Sequence, residues 1–310
     1  MGFNYFRADA MPGKKAFNLS HASLEALFAA YHVHPGGDGL VLFALRGALP
    51  VKPVPGWSAS VKVEAAPLDY VHMRCTLGIW DRRGERVFAA PGSTVPYKDN
   101  VLKAAARNGR MKGKGTNQLE PGYYTDLTKG EHLQGKRNGH QALRQTGYRL
   151  YRRSRTGVPY REASPLYYGN PYDNLHCGWN ADGRAPGFSS AGCMVVAGVP
   201  ECPRREDRAP NRGPWRLFHD LVYASHQKIF PILLLPAADA FRFLAVPKGR
   251  FAVPKGRFGG HREGASALVF GSEGEEVKAL QKRLAAAGRY RGRITGRLDA
   301  RTYRAWKQPR

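Results

Sequence analysis

Apolar positions recur along this chain with two different periods, and the changes of period mark its layout. Near the start, Leu24, Leu27, Phe28 and Tyr31 fall at helical spacing behind Ser20. A serine there can accept the unpaired amides of a first turn, so a short helix is predicted to run to about Tyr31. Pro35-Gly36-Gly37-Asp38-Gly39 breaks it, and Leu40 to Leu45 then reads as a buried strand. From Ser60 to about Leu235, short β segments sit between Gly, Pro, Asn and Asp turns. Val61 to Glu64, Val71 to Leu77 and Tyr148 to Arg153 alternate, and Asp81-Arg82-Arg83-Gly84 reads as a hairpin turn into Val87-Phe88. Cys193 to Val196 is a short buried strand. Trp215 to Tyr223 is predicted helical, with Leu217, Phe218, Leu221 and Val222 on one face. Helices are few, so this part is α+β and mainly β.

The texture changes after about residue 240. The unit AVPKGRF is written twice in tandem, Ala245 to Phe251 and Ala252 to Phe258, and Gly259-Gly260 follows. Pro, Gly and basic residues make this a stiff, extended linker. Beyond it, Val277, Leu280 and Leu284 form one helical face, Gly288 is placed to end that helix, and Asp299 to start another carrying Ala305 and Trp306 inward. The expected organisation is a lead-in with a short helix (1–40), a mainly β domain (41–240), a linker (241–262) and a small all-α domain (263–310).

Charge narrows the partners. Among 310 residues, 49 are Lys or Arg and 24 are Asp or Glu, a formal net charge of +25. Such a field attracts polyanions: nucleic acid, an anionic envelope surface or a cell-wall polymer. The basic residues are spread out, with no block resembling a nucleic-acid arm, so charge alone does not choose. Met1 to Ala16 carries Arg7, Asp9, Lys14 and Lys15 and no apolar stretch of the kind a secretory leader needs. Ile229 to Leu235, interrupted by Pro231, is too short to span a bilayer.

Candidate chemistry centres on Asn174-Leu175-His176 and Ser189-Ser190-Ala191-Gly192-Cys193. A thiol becomes a good nucleophile when a base takes its proton, so a paired Cys193 and His176 would equip acyl transfer. The amides of Gly192 and Cys193 are candidates to hold the oxyanion. Asp173, Asn174 or a backbone carbonyl would fix the tautomer of His176. A Cys3His zinc set of His176, Cys177, Cys193 and Cys202 is the competing reading, made awkward by adjacent ligands. His132, His140 and the other histidines fall in no metal-binding spacing. Cys75 reads as packing. No metal or cofactor is expected.

Two resemblances give these residues a setting. Gly271, Gly274, Val277, Leu280-Gln281, Leu284, Gly288, Gly296, Thr302 and Ala305 resemble the small helical peptidoglycan-binding domain, over about residues 266–308. Pro309-Arg310 stand where that family continues to a Phe-Gln pair, which clips the last turn. The resemblance implies a wall-binding face on Val277, Leu280, Leu284 and Trp306. The His-to-Cys pattern resembles the L,D-transpeptidase family: His176 matches its His, Ser190 its Ser/Thr, Gly192 its Gly and Cys193 its nucleophile. Glu120-Pro121-Gly122-Tyr123-Tyr124 is similar to its Pro-x-Gly-x-aromatic strand, which puts Gly122 and Tyr124 among the motif residues. That family implies a mixed β-sandwich with the Cys at the mouth of a groove, over about residues 60–235. Two positions depart from it. Ala191 stands where the family has a second His, and Val195 where it has an Arg that engages a substrate carboxylate. Arg184 is a candidate replacement for that Arg.

The expected function is therefore a cysteine-dependent peptidoglycan enzyme, forming a thioester on wall stem peptides and resolving it with an amine or water. Made in the cytoplasm without a leader, it would act in the periplasm or cell wall after release or export, as a phage lysis enzyme or a secreted effector. The alternative is a non-catalytic basic protein that binds the cell wall or nucleic acid.

Overall fold

The structure is a computed structural model that describes residues 16–106, 115–157, 164–205, 209–244 and 267–307. The tandem AVPKGRF segment and Pro309-Arg310 lie outside these. In chain order the strands are β1 (Ala16–Ser20), β2 (Leu40–Arg46), β3 (Ala48–Pro50), β4 (Ser60–Ala65), β5 (Cys75–Asp81), β6 (Arg86–Ser93) and β7 (Thr116–Leu119). They continue as β8 (Gly122–His132), β9 (His140–Gln145), β10 (Arg149–Ser154), β11 (Leu166–Gly169), β12 (Leu175–Cys177), β13 (Met194–Val196) and β14 (Ile229–Pro236). The helices are α1 (His21–Ala30), α2 (Lys98–Ala105), α3 (Pro214–Tyr223), α4 (Ala237–Leu244), α5 (Glu275–Ala286) and α6 (Ala300–Lys307).

Eight strands close into a barrel in the order β12-β13-β6-β5-β2-β14-β8-β9, shut by Leu175 pairing with Leu143. The pairs β12–β13 and β14–β2 are parallel and the others antiparallel, so the sheet is mixed, and it closes on itself. The continuous apolar run at β2 has a simple cause. Side chains alternate across a strand, and both faces of β2 are covered. Leu40, Leu42 and Ala44 point into the barrel core, with Leu77, Ile79, Phe88, Ile232 and Leu234. Val41, Phe43 and Leu45 point outward into a second core, beneath the sheet β1-β4-β3, α1 and α4. Helix α3 packs on the barrel core with Trp215, Phe218 and Val222.

Most predicted elements appear where their periodicity places them. Ser20 caps α1 through a reciprocal bond with Ser23. Asp81 Oδ1 accepts the Gly84 amide in the β5–β6 turn. Two expectations fail. Val71 to Arg74 is not strand; β5 starts at Cys75, because Asp69 Oδ1 takes the Val71 and His72 amides in a turn. The expected linker start at 241 falls inside α4, whose Ala237, Ala240 and Phe241 are buried in the outer core. Among the described residues of the lead-in, Leu19, Leu24, Leu27 and Phe28 belong to that same core.

Residues 267–307 carry α5 and α6 and lie against the body. Val277, Leu280, Leu284, Tyr290, Leu298 and Tyr303 share one core with Leu150 and Leu166, from the small sheet β11-β10-β7. Tyr123 N donates to Phe270 O at 2.7 Å, Ser272 Oγ to Tyr31 O at 2.7 Å, and Glu273 N to His32 O at 2.8 Å. Asp299 starts α6 by accepting the Thr302 amide at 2.8 Å, as its position predicts. Ala305 and Trp306 are only half-buried; Thr302 and Tyr303 are the residues α6 buries.

Candidate active site

Register brings His176 and Cys193 together. β12 and β13 run parallel with Leu175 opposite Met194 and His176 opposite Val195. Met194 and Val196 face the barrel core, so Cys193 and Val195 share the other face, packed with Met73 and Phe188. Val195 is buried in that apolar cluster, which leaves the position of the family's carboxylate-binding Arg without charge. Cys193 is 8% exposed, at the edge of the cluster.

The loop before Cys193 is tied on every side. Ser190 Oγ donates to Cys193 O at 2.7 Å and accepts the Gly192 amide at 3.2 Å. The Gly192 amide is therefore engaged by Ser190, which leaves the Cys193 amide as the better placed of the two expected oxyanion donors. Ser190 O accepts Tyr97 N and Asn100 Nδ2, and Ala191 O accepts Asn117 N. Gly192 is required by a close approach: a Cβ there would lie 2.5 Å from Asp173 Oδ1.

The structure selects a backbone carbonyl as the group that orients His176. His176 Nδ1 donates to Cys177 O at 2.7 Å, so Nε2 carries the lone pair. Two further histidines arrive on the β8–β9 hairpin, where His132 pairs with His140. His140 Nδ1 donates to Asn138 O, and its Nε2 lies 3.4 Å from His176 Nδ1. The His132 ring stacks on His176 with centroids 4.0 Å apart and planes 15° from parallel. Asn174 Oδ1 accepts the Gln145 amide, so its Nδ2 donates to His132 Nδ1 at 3.1 Å and places the His132 proton on Nε2.

Burial keeps these groups neutral. Desolvation, then His132 and His140, holds His176 well below the usual histidine value. His132 falls to about 4 by desolvation and then the neighbouring His140. Desolvation raises the Cys193 thiol above its ordinary value, the Asp173 carboxyl adds to the rise, and Arg149 opposes it. Asp173 is itself pushed up to about 7 by desolvation, against a hydrogen bond from Asn117 Nδ2 at 2.9 Å. The resting pair is thiol and neutral imidazole. Arg149 is wholly buried, paired with Asp126 at 2.7 Å, and its Nη1 has no hydrogen-bond partner.

A ring nitrogen of His132, one of His176 and Cys193 Sγ lie within 4.8 Å of one another. The two imidazole planes are 15° from parallel, with their centroids 4.0 Å apart. The Cys3His zinc reading fails on strand geometry. Cys177 follows His176 on β12 and points the opposite way, into the barrel core. All four cysteines are free and buried, and desolvation lifts Cys177 to about 12.

The remaining expected residues lie elsewhere. Gly122 and Tyr124 face the C-terminal segment: Gly122 bridges to Phe270, and Tyr124 stacks on Phe270 and donates to Glu120 O. Arg184 is exposed and pairs with Asp182. Val277, Leu280 and Leu284 are buried against Leu150 and Leu166, so they offer no face to a wall polymer. Trp306 keeps a half-exposed ring, with Lys307 Nζ 3.9 Å from its centroid. Arg137, Asn138 and Arg204 line a cavity of about 280 Å³, next to the carbonyl that holds His140.

Among the described residues, no helix is long and apolar enough to cross a membrane. No protein-family model, no curated protein and no solved structure matches this chain.

Proposed function

We propose that this protein is a cysteine-dependent acyl-transfer enzyme of the L,D-transpeptidase kind, acting on peptidoglycan stem peptides. The observation that carries the reading is the grouping of Cys193 with His176 and the Cys177 carbonyl, which supplies a nucleophile, a base of defined tautomer and the group that orients it.

In the first step Cys193 Sγ attacks a peptide carbonyl while His176 Nε2 takes the thiol proton. Transfer accompanies attack, since both groups rest neutral. The carbonyl oxygen becomes an oxyanion beside the Cys193 amide. When the C–N bond breaks, the His176 imidazolium returns its proton to the leaving amine, and a thioester on Cys193 remains. An amine or water then attacks the thioester, with His176 again as base, and the thiol is regenerated. The wall substrate rests on the His-to-Cys motif of His176, Ser190, Gly192 and Cys193, and the net charge of +25 favours an anionic envelope. Arg137 and Arg204, beside the histidines, are better placed than Arg184 to engage a stem-peptide carboxylate. Action outside the cytoplasm after release or export, by a lysis enzyme or a secreted effector, follows from the same substrate.

Purified protein incubated with sacculi, with muropeptides read by mass spectrometry, tests this. New cross-linked, exchanged or hydrolysed stem peptides are expected, and Cys193→Ala should abolish them. Unchanged muropeptides with the wild-type chain would overturn the reading. Salt-sensitive DNA binding in their place would favour the non-catalytic alternative.

A further inference from the structure

We propose that His132 is a second catalytic imidazole, whose Nε2–H binds the carbonyl oxygen of the substrate as it becomes an oxyanion. The inference deepens the acyl-transfer reading and rests on it. Three observations converge. First, the ring belongs to the site: one of its nitrogens lies within 4.8 Å of Cys193 Sγ and of a His176 ring nitrogen. Second, its tautomer is fixed. Asn174 cannot turn its amide around without losing the Gln145 amide from Oδ1, so Nδ2 faces His132 Nδ1 and the ring proton stays on Nε2. Third, His132 is half-exposed while His176 is 1% exposed, so His132 is the ring a substrate can reach.

The chemistry needs such a donor. The Gly192 amide is engaged by Ser190 Oγ, which removes one of the two expected loop donors to a tetrahedral oxyanion. The sequence motif offers nothing in its place, since Ala191 has no polar side chain. An imidazole lowered to about 4 stays neutral, so it serves as a donor. The hairpin would thus supply from a distance of sequence what the loop before Cys193 lacks.

The test compares two reactions of Cys193. Acylation by p-nitrophenyl acetate passes through an oxyanion, whereas alkylation by iodoacetamide does not. His132→Phe keeps an aromatic ring to stack on His176 and removes the donor; His132→Gln keeps a donor of similar reach. His132→Phe should slow acylation by about 100-fold, the effect of losing one oxyanion donor, with alkylation unchanged. His132→Gln should recover most of the loss. Two outcomes would overturn the proposal: acylation in His132→Phe within about threefold of wild type, or alkylation falling in step with acylation, which would make the ring only a support for His176. Wild-type protein that is alkylated but never acylated would instead remove the acyl-transfer reading, and this proposal with it.

Discussion

A thiol that rests beside a carboxylate in a desolvated corner keeps its proton, and Cys193 is such a thiol. Above about pH 7 Asp173 carries a charge that opposes the thiolate. Iodoacetamide should therefore label Cys193 more slowly at pH 8 than a free thiol, whose value is about 8.5. Asp173→Asn keeps the size of the side chain against Gly192 and removes the charge. Labelling at pH 8 should then rise severalfold, because the thiol loses a neighbouring charge that opposes its ionisation, and the two proteins should converge below pH 6. Equal rates at pH 8 would show that Asp173 does not act on the thiol. The same carboxyl makes a stability prediction with a definite sign. Its folded value, about 7, lies above its ordinary 3.8. Between these values the unfolded chain has lost the proton and the folded chain retains it, so wild-type stability falls as pH rises from about 4 to about 7. Asp173→Asn should flatten that fall in a series of thermal melts. At this scale the sequence reveals the local pair and not its surroundings. His176 and Cys193 stand out because their neighbours share short motifs. His132, His140, Asn117 and Arg149 carry no local mark, and strand register alone brings them near. His132 and His140 meet because the β8–β9 hairpin pairs them directly across its strands.

At the scale of elements, the short strand β13 bears most of the constraint. It fits between β12, which carries His176, and β6, where Val195 pairs with Ser93 and Val196 with Gly92. A Cβ on Gly92 would lie 2.3 Å from Val195 O, a backbone atom that moves only with its strand. Gly92→Ala should therefore displace β13 and the Cys193 loop it anchors. The expected cost is about 1–3 kcal/mol in urea unfolding, the usual range for overpacking, with iodoacetamide labelling of Cys193 losing its native rate. A variant that unfolds at the wild-type urea concentration would mean that β13 is free to shift. Elements were legible in the sequence wherever one period governed them: β2 as an apolar run, α1 by its cap, α3 by its face. Val71 to Arg74 misled because an alternating sequence there is held in a turn by Asp69, which takes the Val71 and His72 amides away from any strand ladder. Helix α4 was hidden because its apolar residues sit beside a Pro- and Gly-rich segment whose composition dominates the window.

At the scale of the whole molecule, the pattern of α5 and α6 was readable, but the surface that buries them was not. An apolar helical face looks the same whether it closes a separate small domain or lies on a neighbouring sheet. Here Leu150 and Leu166 complete the core of Val277, Leu280, Leu284 and Tyr303, and polar groups lock the junction. Tyr303 Oη donates to Glu120 Oε2 at 2.9 Å, and Arg152 Nε meets Glu120 Oε1 at 2.9 Å, all three side chains buried. Desolvation, reinforced by Glu120, holds the Tyr303 phenol well above its usual value, so it remains a donor at any working pH. Glu120 precedes the barrel strand β8 and follows β7, the strand whose Asn117 holds both Asp173 and Ala191. The C-terminal segment is thereby tied to the strand that steadies the nucleophile loop. Tyr303→Phe should lower stability by about 1–3 kcal/mol, the cost of leaving a buried acceptor short of a donor, measured by urea unfolding. A chain ending at Leu244 should lose more, since it also uncovers Leu150, Leu166 and Tyr124, and should label faster at Cys193 as the loop loosens. If the shortened chain instead melts at the full-length temperature and pellets less with sacculi at high salt, where exposed charges are screened, then residues 267–307 are an independent wall anchor and their docking contributes nothing to the body.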